Sequence, residues 1–216
     1  MAVEYTSPFT STGPGLDWLV DPKRAALIVV DIQNDMCHPD GALAKMGTDM
    51  EPILDTVERI KGLVAEARRV NVPVIFTQLT FDDMTMPPAV RLQREKNGDK
   101  NLCIKDTWGA ELYEFEPEAN DRVVEKHRYD AFFETELDMN LKSLGAETLI
   151  VTGIASNVCA QATGLGAYMR GYFVVFLNDA TSTYSDDAHY EALAYADRFL
   201  GQVANSADVL ELWGKV

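Results

Sequence analysis

Regular patterning starts at residue 25. Ala25-Ala26-Leu27-Ile28-Val29-Val30 is apolar at every position until Asp31, the pattern of a strand buried on both faces. Between 51 and 71 the period changes. Ile53, Leu54, Val57, Ile60, Leu63, Val64 and Ala67 recur at three- and four-residue steps, which predicts an amphipathic helix. Asn71 can end that helix and Pro73 cannot continue it. Further apolar runs predict strands at 72–79, 122–124, 149–152 and 173–177, with a weak one near 202–205. Leu137, Leu141 and Leu144 predict a helix with Thr135 as N-cap and Gly145 beyond its end. Residues 156–170 predict another, and Ser185 opens a third, with Asp186 and Asp187 where acids suit the dipole. The charged stretch 80–105, with Pro87-Pro88, reads as a long surface excursion. Residues 1–24 read as an arm fixed by Trp18, and 25–216 as a single domain without internal repeats.

Strands alternating with helices predict an α/β fold: three layers, with a mainly parallel, Rossmann-like sheet of about six strands. In such sheets ligands sit beyond the carboxyl ends of the strands, at the switch point. Three residues at those ends therefore draw attention: Asp31, Lys126 and Cys159.

Composition narrows the partners rather than the fold. The formal charge of −15 argues against a nucleic-acid backbone and against an anionic membrane surface. No apolar run approaches a membrane span, and the first fifteen residues carry neither a basic n-region nor an apolar h-region. The three cysteines, Cys37, Cys103 and Cys159, are widely spaced and include no CxxC pair, so neither a disulfide framework nor a zinc-knuckle spacing is present. A reducing cytoplasm is the expected location.

An arbitrary cysteine is usually a small buried hydrophobe. Cys159 differs in falling at the start of a helix after a parallel strand. Unpaired N–H groups and the helix dipole there are expected to lower its pKa and to hold a developing oxyanion. A thiol needs a proton acceptor. His189 falls in a helix body and reads as a surface residue, and His127 adjoins Lys126. Asp31 ends an apolar strand, where an acid is costly unless paired or exposed in a cleft. Alone, Asp31 reads equally well as a turn residue and Lys126 as a solvated lysine. Together they can flank the thiol, with Asp31 taking its proton.

The segments "ALIVVDIQNDMC", "VPVIFTQ", "DTWGAELY", "EKHRYDAFFETELD", "TLIVTGIASNVC" and "NDATSTYS" occur in an order and spacing that resembles the isochorismatase-like cysteine hydrolases, from Ala25 onward. The resemblance implies a catalytic triad of Asp31, Lys126 and Cys159. It also implies a cis peptide between Ile154 and Ala155 and an oxyanion hole from the Ala155 and Cys159 N–H groups. The implied reaction is hydrolysis of a C–N amide-type bond through a thioester. The "KHRYDAFFETELD" segment is most similar to members acting on ureido or carbamoyl compounds: ureidoacrylate, biuret, triuret or N-carbamoyl amino acids. Gln33, Asn34, His38, Trp108, Arg128, Tyr129 and Phe132 are the candidate substrate contacts, with Phe132 and Phe133 equally readable as core. Asp130 stands where relatives often have Ser, and Ala160 where Val is common.

No cofactor and no metal is expected. "FTQLTFDDM" lacks the His of the nicotinamidase D-x-H motif, and Asp82 and Asp83 read as solvated. Another small amide or a lactam is the alternative substrate. A non-catalytic binding protein, or a redox thiol with Cys37 as resolving partner, is the alternative class. The family implies a homo-oligomer, a dimer or tetramer, with the arm and residues 80–105 as candidate contacts.

Overall fold

A computed structural model describes residues 5–8, 13–99 and 101–216. Of the predicted arm, residues 1–4 and 9–12 lie outside the described residues, as does 100 in the predicted excursion. The elements run α1 (Leu16–Leu19), β1 (Ala25–Val30), α2 (Asn34–Cys37), α3 (Ala42–Lys45), α4 (Glu51–Arg69), β2 (Val74–Leu79), α5 (Pro88–Asn97) and β3 (Arg122–Lys126). They continue with α6 (Leu137–Ser143), β4 (Thr148–Ile154), α7 (Gln161–Met169), β5 (Phe173–Ser182), α8 (Asp186–Phe199), β6 (Gln202–Ala204) and α9 (Ser206–Trp213).

The six strands form one sheet in the order β3-β2-β1-β4-β5-β6, and every neighbouring pair is parallel. This is the doubly wound order, and its switch point falls between β1 and β4. Burial explains the unbroken apolar runs. Leu27, Val29, Phe76 and Ile150 face one core layer with Ile53, Val57, Ile60 and Leu63 of α4 and Trp213 of α9. Ala26, Ile28, Val30, Leu149 and Val151 face the other, with Leu137 and Leu141 of α6, Ala167 of α7 and Leu193 of α8. Trp18 packs edge-on against Phe173 and carries the Arg24 guanidinium 4.1 Å above its ring, which ties the segment before β1 to the sheet.

Four local expectations need correction. The stretch 80–105 contains α5, opened by Pro88 in its first turn and closed by Gly98 at φ +80°. Proline is well suited to a helix start, so the Pro pair marks a beginning here rather than a loop. Strand β5 runs past its apolar section: Asn178 stays buried, and after a register shift Thr181 and Ser182 pair with Gly153 and Ile154 of β4. Thr135 does not cap α6. Glu136 holds that position, while the Thr135 hydroxyl donates to the Ala131 carbonyl and accepts from the Leu137 N–H. Finally, residues 156–170 do not form one α-helix. Ser156–Ala160 is a π-helical turn, and α7 follows it.

Candidate active site

Asp31, Lys126 and Cys159 come together at the carboxyl ends of the sheet. Asp31 follows β1 directly with φ +53°, a left-handed conformation that Asp tolerates better than most side chains. Its backbone N–H donates to Thr77 Oγ1 at 3.1 Å, and that hydroxyl donates back to Asp31 Oδ1 at 2.6 Å. Thr77 on β2 thus fixes the carboxyl group and leaves Oδ2 facing inward. Lys126 Nζ lies 2.7 Å from Asp31 Oδ2, and both side chains are wholly buried. The ammonium also donates to the carbonyls of Arg128 at 3.0 Å and Tyr129 at 3.3 Å. Burial opposes the charge on Lys126, but the Asp31 carboxylate outweighs it and the Lys126 pKa is raised.

The Cys159 side chain is buried beside Asp31 and Lys126, and both shift its titration. The expected lowering of its pKa does not hold. Burial pushes the thiol up, Lys126 pulls it down, and Asp31 adds to the rise. Desolvation of a thiolate here outweighs the helix-start effect, so the group rests as a thiol between an acid and an ammonium. The π-helical turn shapes the backbone around it. The Ala155 carbonyl accepts from Val158 N–H at 3.0 Å and from Ala160 N–H at 3.1 Å, while the Cys159 N–H between them does not join them. The Ile154–Ala155 peptide is cis.

A cavity of about 350 Å³ opens on Cys159, Ala155 and Val158, within the range of small-molecule sites. Arg128 and Tyr129 line it, together with Phe81, Arg94, Asp99 and Tyr184, which sequence reasoning did not single out. The other substrate candidates do not line it. Gln33 is a brace: its amide donates to the Leu79 and Ala110 carbonyls and accepts from the Leu79 N–H, which uses the side chain fully. Asn34 donates to the Trp108 carbonyl, and His38 packs edge-on against Trp108 and Tyr113. Phe132 belongs to the second core layer, whereas Phe133 is exposed. The hydrogen bonds and packing of Gln33, Asn34 and His38 are spent on holding the loops around β1. Asp130 is tied to the Phe132 N–H, and Ala160 is buried in the second core layer.

Cys37 packs in the first core layer and Cys159 in the second. Asp82 accepts from the Met84 and Thr85 N–H groups, and Asp83 pairs with Arg91. Among the described residues no group of three or more His, Cys, Asp or Glu is arranged to hold a metal ion. No described helix is long and apolar enough to cross a membrane.

His189 is buried rather than on the surface. Nδ1 meets Ser156 Oγ at 2.9 Å and Nε2 meets the Asn178 carbonyl at 3.0 Å, joining α8 and β5 to the π-helical turn. Burial lowers its pKa, against the opposing pull of Asn178 and Asp186. The unfolded chain then binds a proton near the ordinary value of about 6.5 while the folded chain resists it. Stability is therefore expected to fall as pH drops below that value, with a slope of at most about 1.4 kcal/mol per pH unit from this group. Urea midpoints measured between pH 7.5 and 5 should show this decline in wild type. His189→Gln should flatten it, and an unchanged slope in that variant would assign the decline to other groups.

The isochorismatase domain model matches residues 25–208. The ureidoacrylate amidohydrolase RutB of Methylobacterium radiotolerans is 33% identical over 203 residues, covering 87% of this chain and 79% of that protein. Among solved structures, a cysteine hydrolase from Pseudomonas syringae pv. phaseolicola superposes with a TM-score of 0.83 at 28% identity, covering 95% of this chain and 99% of that one. An N-carbamoylsarcosine amidase from Thermoplasma acidophilum does so at 0.71 and 27%, covering 85% and 96%. With a family match across most of its length and the same parallel sheet, the chain belongs to the isochorismatase-domain family of hydrolases.

Proposed function

We propose that the protein is a cysteine amidohydrolase that cleaves the C–N bond of a small ureido or carbamoyl compound. The observation that carries this reading is the buried Lys126–Asp31 pair at 2.7 Å, set beside the Cys159 thiol at the wall of a cavity. Asp31 Oδ2 takes the thiol proton as sulfur attacks the carbonyl carbon, and Lys126 keeps the carboxylate in position. The resulting oxyanion is held by the N–H groups of Ala155 and Cys159, the latter not joining its neighbours on the Ala155 carbonyl. Collapse breaks the C–N bond, and the leaving amine carries off the proton from Asp31. Water then attacks the thioester and gives a proton to Asp31, which returns it to the departing sulfur. A raised thiol pKa suits this sequence, because the proton leaves only as the new bond forms.

The similarity to amidohydrolases named for ureidoacrylate and N-carbamoylsarcosine supports a ureido or carbamoyl substrate. The same reading keeps the protein a cytoplasmic homo-oligomer acting on a small molecule. The deciding experiment is ammonia release from ureidoacrylate, biuret, triuret, N-carbamoyl amino acids and nicotinamide by wild type and Cys159→Ala. Release by wild type and loss of at least about 1,000-fold in the variant are expected. Release that survives the substitution would overturn the mechanism.

A further inference from the structure

The cavity wall holds a guanidinium that the triad does not use. Arg94 on α5 is only 4% exposed, and no carboxylate lies within 4.0 Å of it among the described residues. Its guanidinium carbon sits over the Phe81 ring, 4.1 Å from the centroid. Nη2 donates to the Asp99 carbonyl at 2.8 Å and to the Leu102 carbonyl at 2.5 Å. Nη1 makes no hydrogen bond among the described residues, and Nε is buried without one. Burying a cation with neutral partners alone is costly, and the N–H donors left on Nη1 can make a charge-assisted hydrogen bond to a carboxylate. Arg128 lines the same cavity, with Nη1 on the Thr85 and His127 carbonyls and no ion pair among the described residues. Asp99 is the one carboxyl in that lining, and its Oδ1 is also unpartnered. The wall thus carries two guanidinium groups against one carboxyl, in a chain whose net charge is −15.

We infer that Arg94, aided by Arg128, forms a carboxylate subsite in the Cys159 cavity, so that the preferred substrate is an anionic ureido or carbamoyl acid rather than a neutral urea. The inference rests on the amidohydrolase reading and narrows it. Arg94 is a specificity residue here: it grips the far end of the substrate while the carbonyl sits at Cys159. The subsite favours ureidoacrylate-like and N-carbamoyl amino acid-like compounds over biuret, triuret and nicotinamide, which carry no carboxylate.

The test compares N-carbamoyl-β-alanine with n-butylurea, a neutral compound of similar length, in the full-length chain. Wild type is expected to favour the acid in kcat/KM by at least about 30-fold, the scale of a buried charge pair losing one partner. Arg94→Gln should reduce that preference to within about 3-fold, chiefly through KM, with Arg94→Lys between the two. A purely structural role in holding the Asp99–Leu102 turn would lower both substrates alike, and that result would overturn the subsite. Should Arg94→Gln fail to fold, equal use of both compounds by wild type would overturn it as well. Calorimetric binding of the same two compounds to Cys159→Ala separates the subsite from the chemistry. Selective binding of the acid without turnover by wild type would keep the subsite and remove the amidohydrolase reading. Turnover of both compounds at equal rates would do the reverse.

Discussion

Replacing Lys126 with methionine is expected to cost about 3–5 kcal/mol of folding stability and to lower activity by on the order of 1,000-fold or more. Both effects have one cause. Lys126 and Asp31 are each 0% exposed, and among the described residues the ammonium is the one cation within 4.0 Å of Oδ2. Removing it leaves Asp31 fully buried with Thr77 as its hydrogen-bond partner, an uncompensated charge. Asp31→Asn should also be destabilising, because it leaves the ammonium with two carbonyls and no counter-ion. The double variant Asp31→Asn/Lys126→Met removes both charges, and it should recover much of the stability while remaining inactive. Urea denaturation of the four proteins gives the coupling directly. Additive losses in the double variant would mean that the two groups do not act as an ion pair.

Gly153→Ala is expected to be about as damaging, by about 3–5 kcal/mol, through backbone rather than charge. Gly153 has φ +101°, and a Cβ there would sit 2.1 Å from the Val30 carbonyl oxygen and 2.5 Å from the Val30 nitrogen. These are backbone atoms of the paired strand, since Val30 and Gly153 are in register between β1 and β4. No rotamer can relieve such a clash. The strands would separate just before Asp31 on one side and just before Ala155 on the other, so activity should fall with stability. Gly62 provides the contrast, because it lies inside α4 with open space around it. Gly62→Ala should leave activity unchanged and raise stability by about 0.5–1 kcal/mol. Thermal and urea unfolding of the two variants test the pair, and a Gly153→Ala protein as stable as wild type would show that the strands can yield.

What could be read from the chain follows the physics of burial. Strands covered on both faces must be apolar throughout, so β1, β2 and β4 stand out as runs, and α4 stands out by its period. The carboxyl ends of β1, β3 and β4 located Asp31, Lys126 and Cys159. The helix α5 escaped because its one buried residue is Arg94, so no apolar period marks it. His189 escaped for a related reason: a polar residue within a helix reads as solvated unless its partners are known, and Ser156 is 33 residues away.

The sequence by itself therefore determined the layered parallel architecture and the placing of Asp31, Lys126 and Cys159 at the strand ends, because both depend on local pattern. Only the tertiary structure decided which polar groups meet. Thr77 reaches Asp31 across 46 residues of chain, and Gln33 spends its whole amide on Leu79 and Ala110. Arg94 arrives at the cavity of Cys159 from a helix that pattern alone leaves unseen. Burial also reversed the expected shift of the Cys159 thiol, because desolvation depends on everything packed around a group and not on its place in a helix. Hydrophobic burial is additive and non-directional, so it leaves a trace in composition along the chain. Hydrogen bonds and ion pairs need two particular groups at one distance, and that distance exists only once the chain has folded.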